Sequence, residues 1–295
     1  DAAPQVVAQG DRWSLGNGCI ERVIEVGPQL RTVSLCNRLA DPPRMHRVES
    51  REFVLALDDE SLRLTAADFQ VGTPVKTALP GGRLELQVPL QCAKHALGVA
   101  AVYSLGPGEF YIRKRLEIDA GEHLLNWVDV ESLRLAGLEL QRFDQEPMPF
   151  KMTPWDITVG RPLFAGREMF LGVEHPASLN APDEDGWISL RQHPGRKGRF
   201  TTAPAAIGVS PDRPRQRLSD YFERYVRENR ARPVKRSVQW VAYFPASMDD
   251  DACRSKIAVA ERVLRSRGAP LVSLSRSAPW MIKKPRSVIM GMSPR

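Results

Sequence analysis

The chain has 295 residues, of which 42% are apolar, so it can bury a sizeable core and has room for two domains. It contains no apolar run of about 18 residues, the length that a membrane-spanning helix requires, and we predict no membrane partner. Its net charge of +7 would suit a nucleic-acid-binding protein, and the distribution of that charge tests this idea.

The positive charge lies at the C-terminal end. Residues 262–295 contain eight basic residues and no acidic one, so residues 1–261 carry 34 basic and 35 acidic groups. A surface that binds nucleic-acid phosphates needs basic side chains clustered on a folded face. The neutral body of the chain offers no such cluster, and we predict no nucleic-acid partner.

The N-terminus indicates a cell compartment. The chain begins with Asp1, and residues 1–10 are small and polar, which suits a mature N-terminus left by signal cleavage. A trimmed polypeptide would look the same. We predict a secreted or periplasmic protein with a flexible N-terminus over residues 1–10.

The four cysteines, Cys19, Cys36, Cys92 and Cys253, lack the close Cys-x-x-Cys spacing of zinc sites. Cys19 and Cys36 flank a predicted hairpin turn at Gly27-Pro28, and a two-residue loop there would place them opposite each other. A cross-strand disulfide and a pair of half-buried thiols are both consistent with this pattern. The sequence leaves the cysteine pairing open.

Residues 11–213 predict a large antiparallel β-sandwich. Short segments that alternate apolar and polar residues follow one another, for example at residues 84–90, 97–103 and 111–118. Turn residues such as Gly106-Pro107-Gly108 separate them, which is typical of sandwiches and barrels.

The pattern changes at Pro214. Residues 214–234 predict a linker helix, because Leu218, Tyr221, Phe222, Tyr225 and Val226 share one helical face.

Residues 235–274 then read as strand, helix and strand, a unit of an α/β barrel. A whole barrel needs about 250 residues, so we predict an incomplete (β/α) barrel start. Residues 275–295 form a basic irregular tail. A genuine tail and a shift of reading frame after Leu274 are both open hypotheses.

The sequence shows none of the common catalytic motifs. Gly-x-Ser-x-Gly, the phosphate-binding loop and Gly-x-Gly-x-x-Gly are all missing from the chain, and its five histidines lack metal-ligand spacing. We therefore predict no cofactor and no metal.

Paired carboxylates matter for glycoside hydrolysis, which needs two of them at about 5–10 Å across the scissile bond. The acidic runs 183–185 and 249–251 are better interpreted as a solvated turn and a helix start. Glu174 lies in the apolar run 170–176 and is the most interesting single carboxylate. A buried acid needs a partner there, so a structural hydrogen-bonding role is favoured over catalysis.

Several segments together resemble the α-galactosidase-type enzymes of glycoside hydrolase family 36. The segments are Trp13-Ser14-Leu15-Gly16-Asn17-Gly18 with Ile20-Glu21-Arg22; Glu52-Phe53 with Leu64-Thr65; Tyr103 to Gly108 with Ile112 to Ile118; Gly160 to Phe164 with Phe170 to Ala177; His193-Pro194-Gly195; and Tyr221 to Pro233. Their order along residues 11–250 is what makes the resemblance specific.

The resemblance implies that the sandwich precedes a catalytic barrel that acts on α-linked sugars by a retaining mechanism without a cofactor. It places Tyr243 and Phe244 at the end of the first barrel strand, where an aromatic side chain contacts the sugar, and Glu174 is a further substrate-binding candidate. The family's Asp-Asp-Gly-Trp-like segment has no counterpart at residues 274–280. The family's catalytic aspartates lie on later strands, so we predict that this chain by itself is inactive.

Two functions follow. The first is the N-terminal portion of an α-galactosidase-like glycoside hydrolase. The second is a stand-alone carbohydrate-binding or domain-interaction sandwich without catalysis. The incomplete barrel would expose apolar strand edges, and we expect self-association through it.

Overall fold

A computed structural model describes residues 3–142, 160–213, 216–217, 220–229, 241–244 and 273–276. The chain divides into two compact units, residues 1–228 and 229–295.

The first unit is mainly β, with strands separated by short turns. In chain order they are β1 Gln5–Gln9, β2 Arg12–Gly16, β3 Ile20–Val26, β4 Leu30–Asn37, β5 Arg44–Leu57, β6 Leu62–Thr65, β7 Gln70–Val71, β8 Val75–Ala78, β9 Leu84–Cys92, β10 Leu97–Leu105, β11 Tyr111–Asp119, β12 Leu125–Leu135, β13 Leu140–Arg142, β14 Leu163–Ala165, β15 Met169–Val173, β16 Leu179–Pro182, β17 Ile188–Gln192, β18 Arg199–Thr201 and β19 Ala205–Val209. Single 3₁₀ turns occur at Ala66–Asp68, Pro80–Gly82 and Ala93–His95.

These strands form two antiparallel sheets. One has nine strands in the order β1-β2-β3-β4-β5-β12-β17-β16, with β6 also on β5. The other has ten in the order β13-β14-β15-β19-β11-β10-β9-β7, with β18 on β11 and β8 on β9. One cluster of buried apolar side chains draws on both sheets, so the predicted β-sandwich is confirmed.

Strands with alternating burial, such as β9, turn one apolar face towards the core. In β9, Leu86, Val88 and Leu90 are fully buried, while the residues between them are partly exposed. Each such side chain contributes about 1.5–3 kcal/mol by leaving water. The neighbouring strand of the same sheet extends this buried face, since Tyr103 of β10 pairs with Leu86 and is also fully buried.

The N-terminal segment differs from its prediction. Residues 5–9 were expected to be flexible, yet they form β1, which pairs with β2 in the register Gln5↔Gly16 to Gln9↔Arg12. The segment is uncharged, and Val6 packs against the core and anchors it. Its apolar stretch, Val6 to Ala8, is too short for the sequence pattern alone to indicate an edge strand.

The predicted opposition of Cys19 and Cys36 is wrong. The turn holds three residues, because Val26 pairs with Leu30, and a bulge between Val23 and Ile24 shifts the register by one more. Cys36 consequently lies opposite Glu21. Both thiols are unpaired and half-buried, and Cys92 is unpaired and buried.

In the described part of the predicted linker helix, Gln216 and Arg217 are helical, Asp220–Val226 form a π-helical segment, and Arg227–Asn229 continue it as one α-helical turn. We call residues 220–229 the helical segment. Tyr225, on its predicted apolar face, is buried.

In the second unit, β20 (Val241–Phe244) pairs in parallel with β21 (Ser273–Arg276). The parallel pairing is what a strand–helix–strand unit requires. The predicted helix at 249–267 and the tail 275–295, apart from its first two residues, lie outside the described residues, and a barrel start is not shown.

Candidate functional site

The structure places the three predicted site residues in different units. Glu174 follows β15 in the first unit. Tyr243 and Phe244 are the last two residues of β20 in the second unit, and only their strand positions are described. The aromatic residues of β20 therefore remain candidates on sequence grounds.

Glu174 joins the sandwich to the helical segment. Its Oε1 accepts hydrogen bonds from Arg113 Nε at 2.7 Å and from the Tyr225 hydroxyl at 2.8 Å. Its backbone N–H donates to the Pro204 carbonyl at 2.8 Å. Arg113 and Tyr225 together fix the position of the Glu174 carboxylate. They are the hydrogen-bonding partners that the structural role favoured from the sequence requires. We call Arg113, Glu174 and Tyr225 the helix anchor.

The electrostatics of the helix anchor favour a charged Arg113 and a protonated Tyr225. Burial opposes ionisation of Arg113, but the charge of Glu174 outweighs it and raises the pKa of Arg113. Burial and the same carboxylate raise the pKa of Tyr225 well above its ordinary value, so its hydroxyl stays protonated and donates. Burial together with Glu174 raises the pKa of Tyr221 to about 12.

An aromatic cluster surrounds the helix anchor. The ring centroid of Tyr225 lies 4.8 Å from that of Tyr111 and 5.1 Å from that of Phe170, and Tyr221 lies 5.2 Å from Phe170. Phe170 covers Gly208 on the neighbouring strand, where a Cβ would come within 2.0 Å of the ring. Glycine is thus required for the end of the Phe170 ring to occupy this space, and the same ring contacts Tyr221 and Tyr225 of the helical segment.

Glu109 lies next to the helix anchor, with its Oε1 at 3.4 Å from Arg113 Nη1. It pairs with Arg83, and its carboxylate accepts from the Gly106 N–H at 2.6 Å and the Tyr111 hydroxyl at 3.1 Å. Burial works against its charge, yet the hydrogen bonds from Arg83 and Gly106 prevail and lower the pKa of Glu109. Asn17 closes the turn from the other side by donating to the Glu109 carbonyl at 2.8 Å.

A second charged group lies between the sheets, and the sequence analysis did not foresee it. It consists of Arg22, Thr32, Glu52, Tyr103, Lys114 and Glu131, which we call the inter-sheet ion cluster. Arg22, Glu52 and Glu131 belong to the nine-stranded sheet, and Tyr103 and Lys114 to the ten-stranded one. The charged side chains are at most 1% exposed.

Contacts within the inter-sheet ion cluster are short. Lys114 Nζ lies 2.9 Å from Glu52 Oε1 and 3.2 Å from Glu131 Oε2. Arg22 reaches Glu131 at 2.5 Å and Glu52 at 2.9 Å. The Tyr103 hydroxyl donates to Glu52 at 2.5 Å.

Glu52 is the hub of this cluster. Burial raises its pKa, but the charges of Lys114 and Arg22 and the Tyr103 hydroxyl outweigh burial, and the net pKa is far below its ordinary value. Glu52 also has a φ of 65°, which is unusual for a residue with a side chain. The surrounding contacts hold it in this strained conformation.

The inter-sheet ion cluster has two carboxylates but no route for a substrate. Glu52 and Glu131 are fully buried and are both paired with Arg22 and Lys114. Glycoside hydrolysis needs carboxylates that reach opposite sides of a bound sugar. The cluster therefore serves the fold. A sequence signal for it existed, since Arg22 and Lys114 occupy inward positions of alternating strands.

Tryptophan faces could stack on sugars. Of the three described tryptophans, Trp13 is half-buried and packs against the core, and Trp127 and Trp187 each lie under an arginine side chain. The guanidinium of Arg191 lies 3.5 Å from the ring centroid of Trp127, and that of Arg51 lies 4.0 Å from the Trp187 centroid. No Trp, Tyr or Phe side chain described by the structure is exposed. A surface depression at the β1–β2 and β3–β4 turns is lined by Asp11, Arg12, Glu25 and Arg31 among others, and its lining includes no aromatic residue.

Within the described ranges, no group of three or more His, Cys, Asp or Glu side chains is arranged to hold a metal ion. Among the helices that the structure describes, none has the length and apolar character needed to cross a membrane.

No family model and no curated protein matches this chain. Among solved structures, it is similar to the family 36 α-galactosidase AgaB of Geobacillus stearothermophilus, with 12% identity, a TM-score of 0.45, and coverage of 92% of this chain and 50% of AgaB. It is also similar to AgaA of the same organism in complex with raffinose, with 12% identity, a TM-score of 0.46, and coverage of 86% and 48%. The chain thus spans about half the length of these structures.

Proposed function

We propose that this chain is the N-terminal, non-catalytic portion of an α-galactosidase-type glycoside hydrolase. Its sandwich holds the helical segment from which the chain continues towards β20. The substrates would be α-linked glycosides, bound and cleaved by parts of the enzyme outside the sandwich.

One observation carries this proposal: the segments that resemble the family contact one another. Arg22, Glu52, Tyr103 and Lys114 come from four of those segments and meet in the inter-sheet ion cluster. Arg113, Glu174 and Tyr225 come from three of them and form the helix anchor. Unrelated matches scattered along a chain have no physical reason to converge in this way.

The geometry also supports a role without catalysis. In the described part of the chain, each candidate carboxylate is already engaged: Glu52 and Glu131 with buried cations, and Glu174 with Arg113 and Tyr225. An acid and a nucleophile for glycoside hydrolysis must instead face an open site at about 5–10 Å. Tyr243 and Phe244 are proposed to contact the sugar once a barrel surrounds them.

The alternative is a stand-alone carbohydrate-binding or domain-interaction sandwich without catalysis. A carbohydrate-binding site needs an aromatic face open to the sugar ring. Because Trp13 packs against the core and arginine side chains lie over Trp127 and Trp187, the observations favour the first function over carbohydrate binding.

The test compares the 295-residue chain with the complete product of its gene. We expect aryl α-galactoside hydrolysis by the complete product and none by this chain. Calorimetric titration of this chain with raffinose should give no binding heat. Hydrolysis by this chain, or inactivity of a complete product that contains further barrel strands, contradicts the proposal. Raffinose binding by this chain would favour the stand-alone function.

A further inference from the structure

The outer strand of the nine-stranded sheet has a free hydrogen-bonding edge. β1 stands at the end of the strand order, and four of its five residues are exposed. In the described part of the chain no strand pairs with its outer side. An open, uncharged edge is a template for another strand.

The register of the β1–β2 hairpin shows which backbone groups face outward. The turn Gly10-Asp11 has two residues, so Gln9 exchanges hydrogen bonds with Arg12, and the next such pair is Val7 with Ser14. The N–H and C=O groups of Val6 and Ala8 therefore point away from β2. Consistent with this, the Lys76 ammonium reaches the Val6 carbonyl at 3.5 Å from the open side.

This arrangement is complementary to itself about a two-fold axis. If two β1 strands pair antiparallel with Val7 opposite Val7, Val6 of each copy lies opposite Ala8 of the other. The outward groups of Val6 and Ala8 then exchange four hydrogen bonds. Gln5 lies opposite Gln9, so an amide meets an amide and no like charges face each other.

The side chain on the axis fits the same arrangement. The Val7 residue is 44% exposed. It is one of three large apolar residues that are exposed to solvent in the described part of the chain. In the paired form, Val7 would cover its symmetry mate at the close, non-hydrogen-bonded position. Pro4 lacks an N–H and limits the pairing to the short central stretch.

We propose that two copies of this chain associate through β1, joining their nine-stranded sheets across a two-fold axis at Val7. The Lys76 side chain is displaced when the partner's Ala8 N–H replaces it at the Val6 carbonyl. The proposal is independent of the proposed function. It also differs from self-association through the incomplete barrel.

Sedimentation of the full chain over a wide concentration range tests the proposal. We expect a reversible dimer that Ala8→Pro removes. Proline is tolerated at a free edge and takes away an N–H that β2 does not use. Met45→Lys, a change at an exposed side chain of β5, is the matched surface control and should leave the dimer intact.

Cross-linking gives a second, positional readout. Val7→Cys would place two thiols at a Cα separation of about 4.5 Å, within reach of a disulfide, and mild oxidation should yield a covalent dimer. Gln5→Cys, two residues off the axis, should not. A monomer at all concentrations overturns the proposal. A dimer that survives Ala8→Pro and does not cross-link through Val7→Cys also overturns it and points to another surface.

Discussion

The inter-sheet ion cluster and the helix anchor use the same chemistry in different surroundings. Both have a carboxylate that accepts from a cationic side chain and from a tyrosine hydroxyl. Glu52 is fully buried between two sheets, whereas the Glu174 side chain keeps 22% of its surface exposed. If Glu52 loses a hydrogen-bonding partner, no solvent water can replace it. The carboxylate of Glu174 is partly exposed, so water can replace a lost partner there.

This difference separates two functions of charge. In the cluster, a lost partner leaves an uncompensated charge in the core, so the cluster makes any other pairing of the two sheets costly. In the anchor, a lost partner frees a surface segment and leaves the core intact. The following changes are expected to separate these roles.

The largest effect should come from Lys114→Met. Methionine keeps the side-chain volume of Lys114 but removes its positive charge. Arg22 is then the one cation in the cluster that faces the two carboxylates of Glu52 and Glu131. Breaking a buried pair from one side costs about 3–5 kcal/mol. The free energy of unfolding in urea, followed by tryptophan fluorescence, measures this loss.

The control for this change is Arg199→Gln. Arg199 pairs with Asp119 at the surface and is 90% exposed, so its substitution should change the free energy of unfolding very little. Equal losses from the two variants would show that the cluster is not the buried hub that its contacts indicate.

A smaller, local effect is expected from Tyr225→Phe and Glu174→Gln. Each removes one side of a hydrogen bond to a charged group, worth about 1.5–3 kcal/mol when fully formed. Amide hydrogen exchange should accelerate in residues 220–229, while β9 and β10 stay protected. The double variant should be less destabilised than the sum of the two single changes. Uniform acceleration over the sandwich would assign Glu174 to the core instead.

Acid should weaken the sandwich through Glu168. Burial opposes its charge, but hydrogen bonds from His46 and Asn37, at 2.9 and 2.7 Å, prevail and lower the pKa of Glu168 below the ordinary 4.5. The folded state therefore binds this proton less readily than the unfolded state. The stabilisation is present above about pH 4.5 and is lost as the pH falls further.

The urea midpoint measured between neutral and acidic pH tests this expectation. Glu168→Gln should start lower at neutral pH and fall less steeply below pH 4.5. Parallel curves for the variant and the parent chain would show that other carboxylates control the acid response.

The smallest effect, none within error, is expected from reducing agent. Cys19, Cys36 and Cys92 are unpaired, and burial raises the pKa of Cys19 and Cys36. Dithiothreitol should leave the urea midpoint unchanged. A lower midpoint after reduction would reveal a disulfide.

The sequence by itself determined the class of the fold, because strand alternation is a local property. Residues 84–90 alternate, and β9 buries one face as predicted. In β10 the alternation of burial holds from Leu97 to Ala101, and the strand is buried on both faces from there to Leu105. The apolar face of residues 221–226 likewise indicated a helix with one buried side, without identifying the surface that covers it. The order of the segments that resemble the family is also visible in the sequence, without knowledge of the contacts that these segments make.

Only the tertiary structure decided registers and partners. A third turn residue and one bulge shift the register of β3 and β4, so that Cys36 lies opposite Glu21 and not opposite Cys19. No sequence pattern indicated either shift. Arg22 and Glu131 are 109 residues apart, so their pairing depends on the strand order of a whole sheet. Glu174 was visible as an apolar-run carboxylate, but its partners come from β11 and the helical segment. Side-chain periodicity is encoded within a few residues, whereas contacts between distant strands exist only after the sheets have assembled.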